Sequence, residues 1–535
     1  MRDLFRSKQA WMVVTAVFLM MLLFVGLSAA QGGPGFPLDD GWIHQTYARN
    51  FAASGRFEYT PGIVSAGSTS PLWTLLLAAG YLLRLPYLLW AYLLGGLSLL
   101  WLALAAMRLW QLFWPEWADK AWLPGIVIAL AWPLVWAAVS GMETVLFAAL
   151  GMQILVIYAQ MALKTYLKKG NGTQISQINT DEKQQSASIG VNPSALLGVL
   201  SGLLILVRPD GLVLLLLVAL GLLLLPGRWQ ERLGRVAIYG GTAVLPLLPY
   251  FAFNYAASGA IWPNTFYAKQ SEYQILLAEP IWSRAIRLLY FSVGGAEQGW
   301  QGISGAQLLL LPGLVVAGLL AVKSDWLRRG LLLTLPLLWA GGHVVLYAWR
   351  LPVTYQHGRY LFAAIPVWIV YGLAGWLGIF GWMGNGRFGR VGKQVAVLTF
   401  ALLLLFFSLL GAQTYATDVA FIEGEMVTVA HWLADNTPPD ALIASHDIGA
   451  IGYFGERPLL DLAGLISPEV IPFLADESQL GEYLQQSDAQ YLVTAPGWPY
   501  TDLLQTIPVT EQFTTHYQWT LAQGQNNMTV YQLEN

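Results

Sequence analysis

The sequence predicts a polytopic α-helical membrane protein carrying a small α/β domain at its C-terminal end. Three observations lead there. Apolar residues make up 56% of the 535 residues and charged residues 11%, against ~45–50% and ~25% in soluble globular domains. The apolar residues fall in blocks of roughly 15–25, the length that crosses ~30 Å of hydrocarbon. From Ala416 onward the composition turns polar and rich in turn signals. Such a chain is not disordered, not nucleic-acid binding and not an ordinary cytosolic enzyme. Its net charge of −3 points to no global electrostatic partner. Having no cysteine, it has no disulfide, thiolate metal site or cysteine nucleophile.

Met1 to Lys8 carries Arg2, Arg6 and Lys8, and Trp11 to Ala29 is then almost wholly apolar. The run is long and no clean Ala-x-Ala site follows, so it reads as an uncleaved first membrane helix with a cytoplasmic N-terminus. Further apolar blocks lie near 71–84, 86–108, 121–139, 143–163, 195–207, 211–226, 236–255, 305–322, 330–348, 361–383 and 394–413. Together they predict about 11–12 membrane segments. The basic clusters Lys164/Lys168/Lys169, Arg228/Arg232/Arg235, Lys323/Arg328/Arg329 and Arg387/Arg390/Lys393 belong on the cytoplasmic side. One alternation of sides satisfies all four, provided 195–226 enters and returns. It places 30–70, 256–304, 349–360 and everything after 414 outside the plasma membrane. The three blocks between 71 and 139 break the alternation, so one is re-entrant or two form one bent span.

Two domains are expected, 1–415 in the membrane and 416–535 as the extracytoplasmic α/β domain. Residues 164–194 form a cytoplasmic loop whose Gly170–Asn192 stretch is rich in Gln, Ser and Asn. No internal repeat is evident. After 416 the sequence is helix-like over 422–435 and strand-like near 441–446, 457–462, 489–494 and 515–520.

The first external loop, PLDDGWIHQTYARNFAASGRFEYTPGIVSAGSTSPLW, carries the densest chemistry. Asp39 and Asp40 open a helical pattern with Trp42/Ile43, Tyr47 and Phe51 on one face, and Gly55 ends it. An amphipathic helix on the membrane surface is expected. One aspartate serves as a helix N-cap. The second is harder to explain that way. Adjacent like charges near a low-dielectric surface shift their pKa values, which is how a general base is made. His44, one turn beyond Asp40, is either a surface histidine or an acceptor contact. Thr69-Ser70-Pro71 is a cap-plus-proline start for the next helix.

DDGWIHQTYARNFAASGRFEYTPG followed by GSTSPLWTLLLA resembles the first external loop of GT-C glycosyltransferases. The resemblance is nearest to the branch of the mycobacterial terminal arabinofuranosyltransferase. It is more distant to the lipid A aminoarabinose transferases and protein O-mannosyltransferases. SGMETVLF (140–147), RPDG (208–211), PNTFYAK (263–269), HGRYLFAAIP (357–366) and HDIGAIGYFGERPLLDLAGL (446–465) agree in order. The resemblance implies transfer of a sugar, a pentofuranose such as arabinofuranose among them, from a polyprenyl-phosphate donor. The acceptor is a glycan, lipid or protein at the outer membrane face. Membrane lipids are the surroundings, and no nucleic acid is involved.

On that pattern Asp39 or Asp40 takes the acceptor proton, with Asp40 preferred. Glu143 is a helix-start acid or a second cavity acid. A divalent cation, Mg or Mn, if used, falls to Asp39, Asp40 and Glu143. Arg208 and Asp210 pair across a tight turn between short helices, or reach the cavity with Arg208 on the donor phosphate. Lys269 contacts phosphate or snorkels at the interface. Arg359 suits bidentate phosphate contact, with Arg350 as a substitute. His44, Arg49, Asp210, His357 and Asp447 complete the substrate-binding candidates. Asp447 and Asp461 also fit a purely structural strand–turn–helix role. The 24 tryptophans belong mainly to core and interface belts. The rival reading is a transporter or flippase of a lipid-linked sugar, which would favour internal repeats. A sensor or scaffold is a third, and it would not need paired acids beside basic residues.

Overall fold

The computed structural model describes residues 7–169, 192–296, 302–323 and 331–534. Arg2, Arg6, Arg328, Arg329 and nearly all of the 170–192 loop lie outside the described residues. The chain is a polytopic helical bundle with a C-terminal α/β domain on one end. Six helices among the described residues are long and apolar enough to cross a membrane: Lys8–Gln31, Tyr87–Phe113, Thr144–Tyr166, Ala306–Lys323, Tyr355–Trp382 and Arg387–Asn436. A seventh candidate, Trp229–Val244 with Leu248–Ser258, is bent by 46°. The remaining apolar blocks fold as shorter helices, including Pro71–Leu82, Pro193–Val207 and Pro209–Leu224.

The block at 121–139 is broken at Ala131 into Trp122–Leu130 and Trp132–Ala138. Pro133 follows the break and has no N–H for a continuous ladder. The 12 residues of Pro71–Leu82 rise only ~18 Å. Both irregular pieces fall in the stretch where the alternation of sides fails. Arg208-Pro209-Asp210-Gly211 separates two short helices over 193–224, which suits a segment that enters and returns.

Thr144–Tyr166 and Tyr355–Trp382 are mostly buried in the centre of the bundle, while the first and last long helices lie at its rim. Ala306–Lys323 and Ile365–Trp382 cross at glycines. A Cβ on Gly375 would sit 1.8 Å from the Gly313 carbonyl oxygen, so only small residues permit that approach.

The helix from Arg387 runs past residue 416 without a break. It passes through a π-helical turn at Glu423–Val427 into Thr428–Asn436. Within that turn the buried Glu425 accepts hydrogen bonds from Thr515, from Thr520, from Asn527 Nδ2 (2.6 Å) and from the Met528 N–H (2.9 Å). The membrane bundle and the C-terminal domain are therefore joined by one helix and a buried carboxylate.

The C-terminal domain is a five-stranded mixed sheet with helices. Its strands are β1 (Ile443–Ser445), β2 (Leu459–Asp461), β3 (Tyr491–Thr494), β4 (Val509–Thr514) and β5 (Thr529–Leu533), in spatial order β2-β1-β3-β5-β4. β1 pairs in parallel with β2 (Ile443 opposite Leu459) and with β3 (Ile443 opposite Tyr491). β5 pairs antiparallel with β3 and β4. The strand expected near 515–520 is a turn and a short helix, Gln518–Ala522. The strand lies just before it, at Val509–Thr514, where only Val509 and Phe513 are apolar.

Candidate active site

The helix opened by the paired aspartates spans Asp40–Ser54 and stops at Gly55, whose φ of 73° needs a residue without a Cβ. It differs from the expected surface helix. Trp42, His44, Gln45, Thr46, Tyr47 and Asn50 are all buried, so protein covers its polar side as well. One cover is Pro71–Leu82, where Tyr81 Oη donates to Gln45 at 2.7 Å. The other is the six-residue helix Gly449–Phe454 of the C-terminal domain. Trp42 packs between Phe36, Tyr453 and Phe454 at ring distances of 4.7–5.1 Å. Amphipathic spacing shows an apolar face; it does not show that distant chain will cover the polar one.

The two aspartates part company at this helix start. Asp39 makes no cap on its own helix. Its carboxylate instead accepts the N–H groups of Gly449 (2.6 Å) and Ala450 (2.7 Å), at the N-terminus of the C-terminal domain's short helix. Burial, then the charge of Asp447, push its pKa up to about 7 against those two N–H groups. A Cβ on Gly449 would lie 2.0 Å from the Asp39 carbonyl oxygen, so glycine is required by close approach. At the other end of the same short helix Arg49 donates to the Tyr453 carbonyl at 2.8 Å, and its guanidinium lies 4.6 Å from the Tyr453 ring. Negative charge at the N-terminus and positive charge at the C-terminus both complement the helix dipole.

Asp40 points the other way, into a cavity of about 460 Å³ walled by the bundle and its outer loops, with Leu465 of the C-terminal domain at one side. Its Oδ2 pairs with Arg359 and lies 3.8 Å from Lys269 Nζ. Burial raises the pKa of Asp40, but the Arg359 and Lys269 charges outweigh it and hold the carboxyl well below the usual range. Arg359 uses only Nη2, toward Asp40 and toward Tyr360 Oη at 3.2 Å. Its Nε and Nη1 are buried without a partner. Lys269 also donates to Tyr360 Oη at 3.0 Å.

Elsewhere on the cavity wall all three nitrogens of Arg208 are engaged. Nε bonds Asp210 at 2.9 Å, Nη1 bonds Glu143 at 3.0 Å and Nη2 bonds Tyr347 Oη at 2.6 Å. His44 Nε2 sits 3.2 Å from the other Glu143 oxygen. Glu143 is thus held between an imidazole and a guanidinium. The remaining wall is apolar, built from Leu212, Val213, Leu216, Trp262, Phe266 and Trp349. Leu216 and Trp349 stay 65% and 58% exposed, so this wall continues onto the bundle's apolar flank.

The structure thus brings Asp40, His44, Glu143, Arg208, Asp210, Lys269 and Arg359 around one cavity, with Arg350 at its edge bonding Gln270 at 2.8 Å. Asp39, Arg49, His357 and Asp447 lie elsewhere. His357 pairs with Asp418 at 2.8 Å between Trp132 and Trp136. Asp447 meets His446 at 3.3 Å, and His446 lies 3.7 Å from Glu272. Tyr360 and Tyr347 were not singled out from the sequence. Each carries a hydroxyl at the centre of the network, and Tyr360 adjoins the arginine of the HGRY motif.

Asp39, Asp40 and Glu143 do not fit a divalent cation in this arrangement. Asp39 is spent on backbone N–H groups, while Asp40 and Glu143 each face a guanidinium. Among the described residues no three His, Cys, Asp or Glu are grouped to hold a metal.

Comparison with known proteins agrees on the fold. Residues 414–531 match a family described as a domain of unknown function, DUF8728. No curated protein matches the sequence. Among solved structures, ArnT from Cupriavidus metallidurans bound to undecaprenyl phosphate is 15% identical with a TM-score of 0.56, over 98% of each chain. The archaeal oligosaccharyltransferase AglB from Archaeoglobus fulgidus, in complex with an inhibitory peptide and a dolichol-phosphate, is 11% identical with a TM-score of 0.58. That match covers 92% of this chain and 70% of that one. A further AglB structure is a complex with Zn and sulfate. The mycobacterial arabinofuranosyltransferase AftD matches with a TM-score of 0.44 over 42% of its length, too loosely to carry an argument. These TM-scores show that the chain shares the fold of ArnT and AglB.

Proposed function

We propose that this protein is a GT-C glycosyltransferase that takes a sugar from a polyprenyl-phosphate donor at the outer face of the plasma membrane. The observation that carries the reading is the half-used guanidinium of Arg359. Buried N–H donors without partners are rare and costly. Here Arg359 holds two of them while its third nitrogen pairs with Asp40, on a cavity that also has an apolar side. A phosphate ester with a long apolar tail fits both walls at once. Arg359 and Lys269 take the phosphate, and the tail leaves over Leu216 and Trp349. The resemblance of DDGWIHQTYARNF and HGRYLFAAIP to GT-C motifs and the shared fold support the same reading. A pentofuranose donor rests on the sequence resemblance alone.

In this reading Asp40 accepts the proton as the acceptor hydroxyl oxygen attacks the anomeric carbon. The bond from that carbon to the phosphate oxygen breaks, and polyprenyl phosphate leaves with the bonding electrons, held by Arg359. Glu143, with His44 and Arg208, lines the side where the sugar and acceptor meet. The acceptor is a glycan, lipid or protein. The N-terminus lies inside and the C-terminal domain outside. Equilibrium binding of undecaprenyl phosphate to the purified full-length protein tests the assignment. Arg359→Ala is expected to weaken binding by at least ~10-fold, the scale of a charge-assisted hydrogen bond. Unchanged affinity in that variant would reject it.

A further inference from the structure

We propose that the donor's phosphate unmasks the catalytic carboxylate, so that Asp40 becomes an effective base only once the donor is bound. This rests on the reading of the cavity as the donor-phosphate site.

In the structure Asp40 Oδ2 is engaged by Arg359 Nη2, and Lys269 Nζ lies 3.8 Å away. A carboxylate held by two cations has little affinity for a further proton. A base works best when its pKa lies near the working pH, and this carboxyl is held well below the usual range by those neighbours. With Asp40 held this way, the cavity carries a base that is switched off.

The same geometry supplies the switch. Arg359 is 2% exposed, and its Nε and Nη1 hydrogens have no acceptor. A phosphate offers several oxygens in the geometry a guanidinium binds bidentately. Lys269 bonds Tyr360 Oη and is free to share its charge with the same anion. As the phosphate recruits Arg359 and Lys269, the field on Asp40 falls and its proton affinity rises. Asp40 and the phosphate are therefore rivals for one guanidinium. Arg208 cannot substitute, because all three of its nitrogens are already engaged. Two consequences follow. Donor binds before the acceptor is deprotonated, and Asp40 weakens donor binding while being needed for transfer.

The test is equilibrium binding of undecaprenyl phosphate to the full-length protein in nanodiscs. Asp40→Asn keeps the shape and removes the charge. It is expected to bind the lipid about tenfold tighter than wild type, the scale of one charge-assisted hydrogen bond regained by the ligand. Asp39→Asn, outside the cavity, is expected to bind like wild type. Arg359→Ala combined with Asp40→Asn is expected to lose the gain. Should Asp40→Asn misfold, Asp40→Ser is expected to shift affinity in the same direction. If wild type binds and both Asp40 variants bind equally or more weakly, unmasking is overturned while the donor-site reading stands. If the gain persists without Arg359, unmasking is again overturned. If neither wild type nor the Asp40 variants bind, the donor-site reading falls and unmasking falls with it.

Discussion

Asp39 and Asp40 are neighbours in sequence, yet they serve two regions built on opposite rules. On the seam with the C-terminal domain the charged groups are engaged: both Asp39 oxygens accept backbone N–H groups, and Arg49 caps the carbonyl end of the same short helix. In the cavity one charged group is left partly open: Arg359 keeps its buried Nε and Nη1 unpaired. Stable interfaces satisfy their buried polar atoms, whereas a site waiting for a ligand leaves some unsatisfied. Burial and charge alone do not separate the two regions. The partners of their charged groups do.

That contrast is broken most directly at Asp40. Asp40→Asn is expected to cut transfer by ~10²–10⁴-fold, the usual cost of losing a base, with the thermal midpoint near that of wild type. Full turnover in that variant, measured with purified donor and acceptor, would remove Asp40 from the chemistry.

Arg208 tests the contrast from inside the cavity. It is the guanidinium with every nitrogen engaged, so Arg208→Ala is expected to act on stability. Removing it strands Glu143 and Asp210 without their counter-charge, at a cost of about 3–5 kcal/mol. Arg359→Ala is expected to act on donor affinity instead, with a smaller stability change. Denaturation and binding measured on both variants would show the two arginines exchanging columns if the contrast is wrong.

At the seam, Asp39→Ala leaves the Gly449 and Ala450 N–H groups without their acceptor. Loss of a capping acceptor costs about 0.5–2 kcal/mol. The expected result is faster proteolysis or hydrogen exchange in the 449–454 helix, with donor affinity unchanged. Gly449→Ala is expected to loosen the same seam through contact with the Asp39 backbone.

The smallest effect concerns His446, beside Asp447 and Glu272. Burial lowers its pKa, but hydrogen bonds to Asp447 and Glu272 outweigh that and raise it from 6.5 to about 10. The folded state therefore holds this proton more tightly than the unfolded state. Its stabilisation is complete below pH 6.5 and is lost as pH rises toward about 10. Wild type is expected to lose thermal stability across that window. His446→Gln is expected to lose less, and identical slopes would show that the cluster contributes nothing.

Much of the architecture was readable in the residues. Helix-length apolar runs, the Gly55 stop and the polar shift after Ala416 each follow from local chemistry. So did the membership of Asp40, Lys269 and Arg359 in conspicuous motifs. What escaped was long-range. No periodicity in DDGWIHQTYARNF reveals that its polar side meets a helix 410 positions later. Tyr360 and Tyr347 escaped because a tyrosine in an apolar run reads as an interface residue until its hydroxyl partners are known. The turn before Arg359, with Gln356 and His357 at φ of 51° and 60°, had no turn-forming residue to announce it except Gly358.

The bond between Asp39 and Gly449 also sets a clock. Its two ends are separated by 410 residues, and translation proceeds at ~5–20 residues per second. The first loop therefore waits about 20–80 s after its own synthesis before its partner exists. Throughout that interval the polar side of the Asp40–Ser54 helix lacks the cover that Gly449–Phe454 gives it. The seam at Asp39 can therefore close only near the end of synthesis, long after the bundle's first helices are in place.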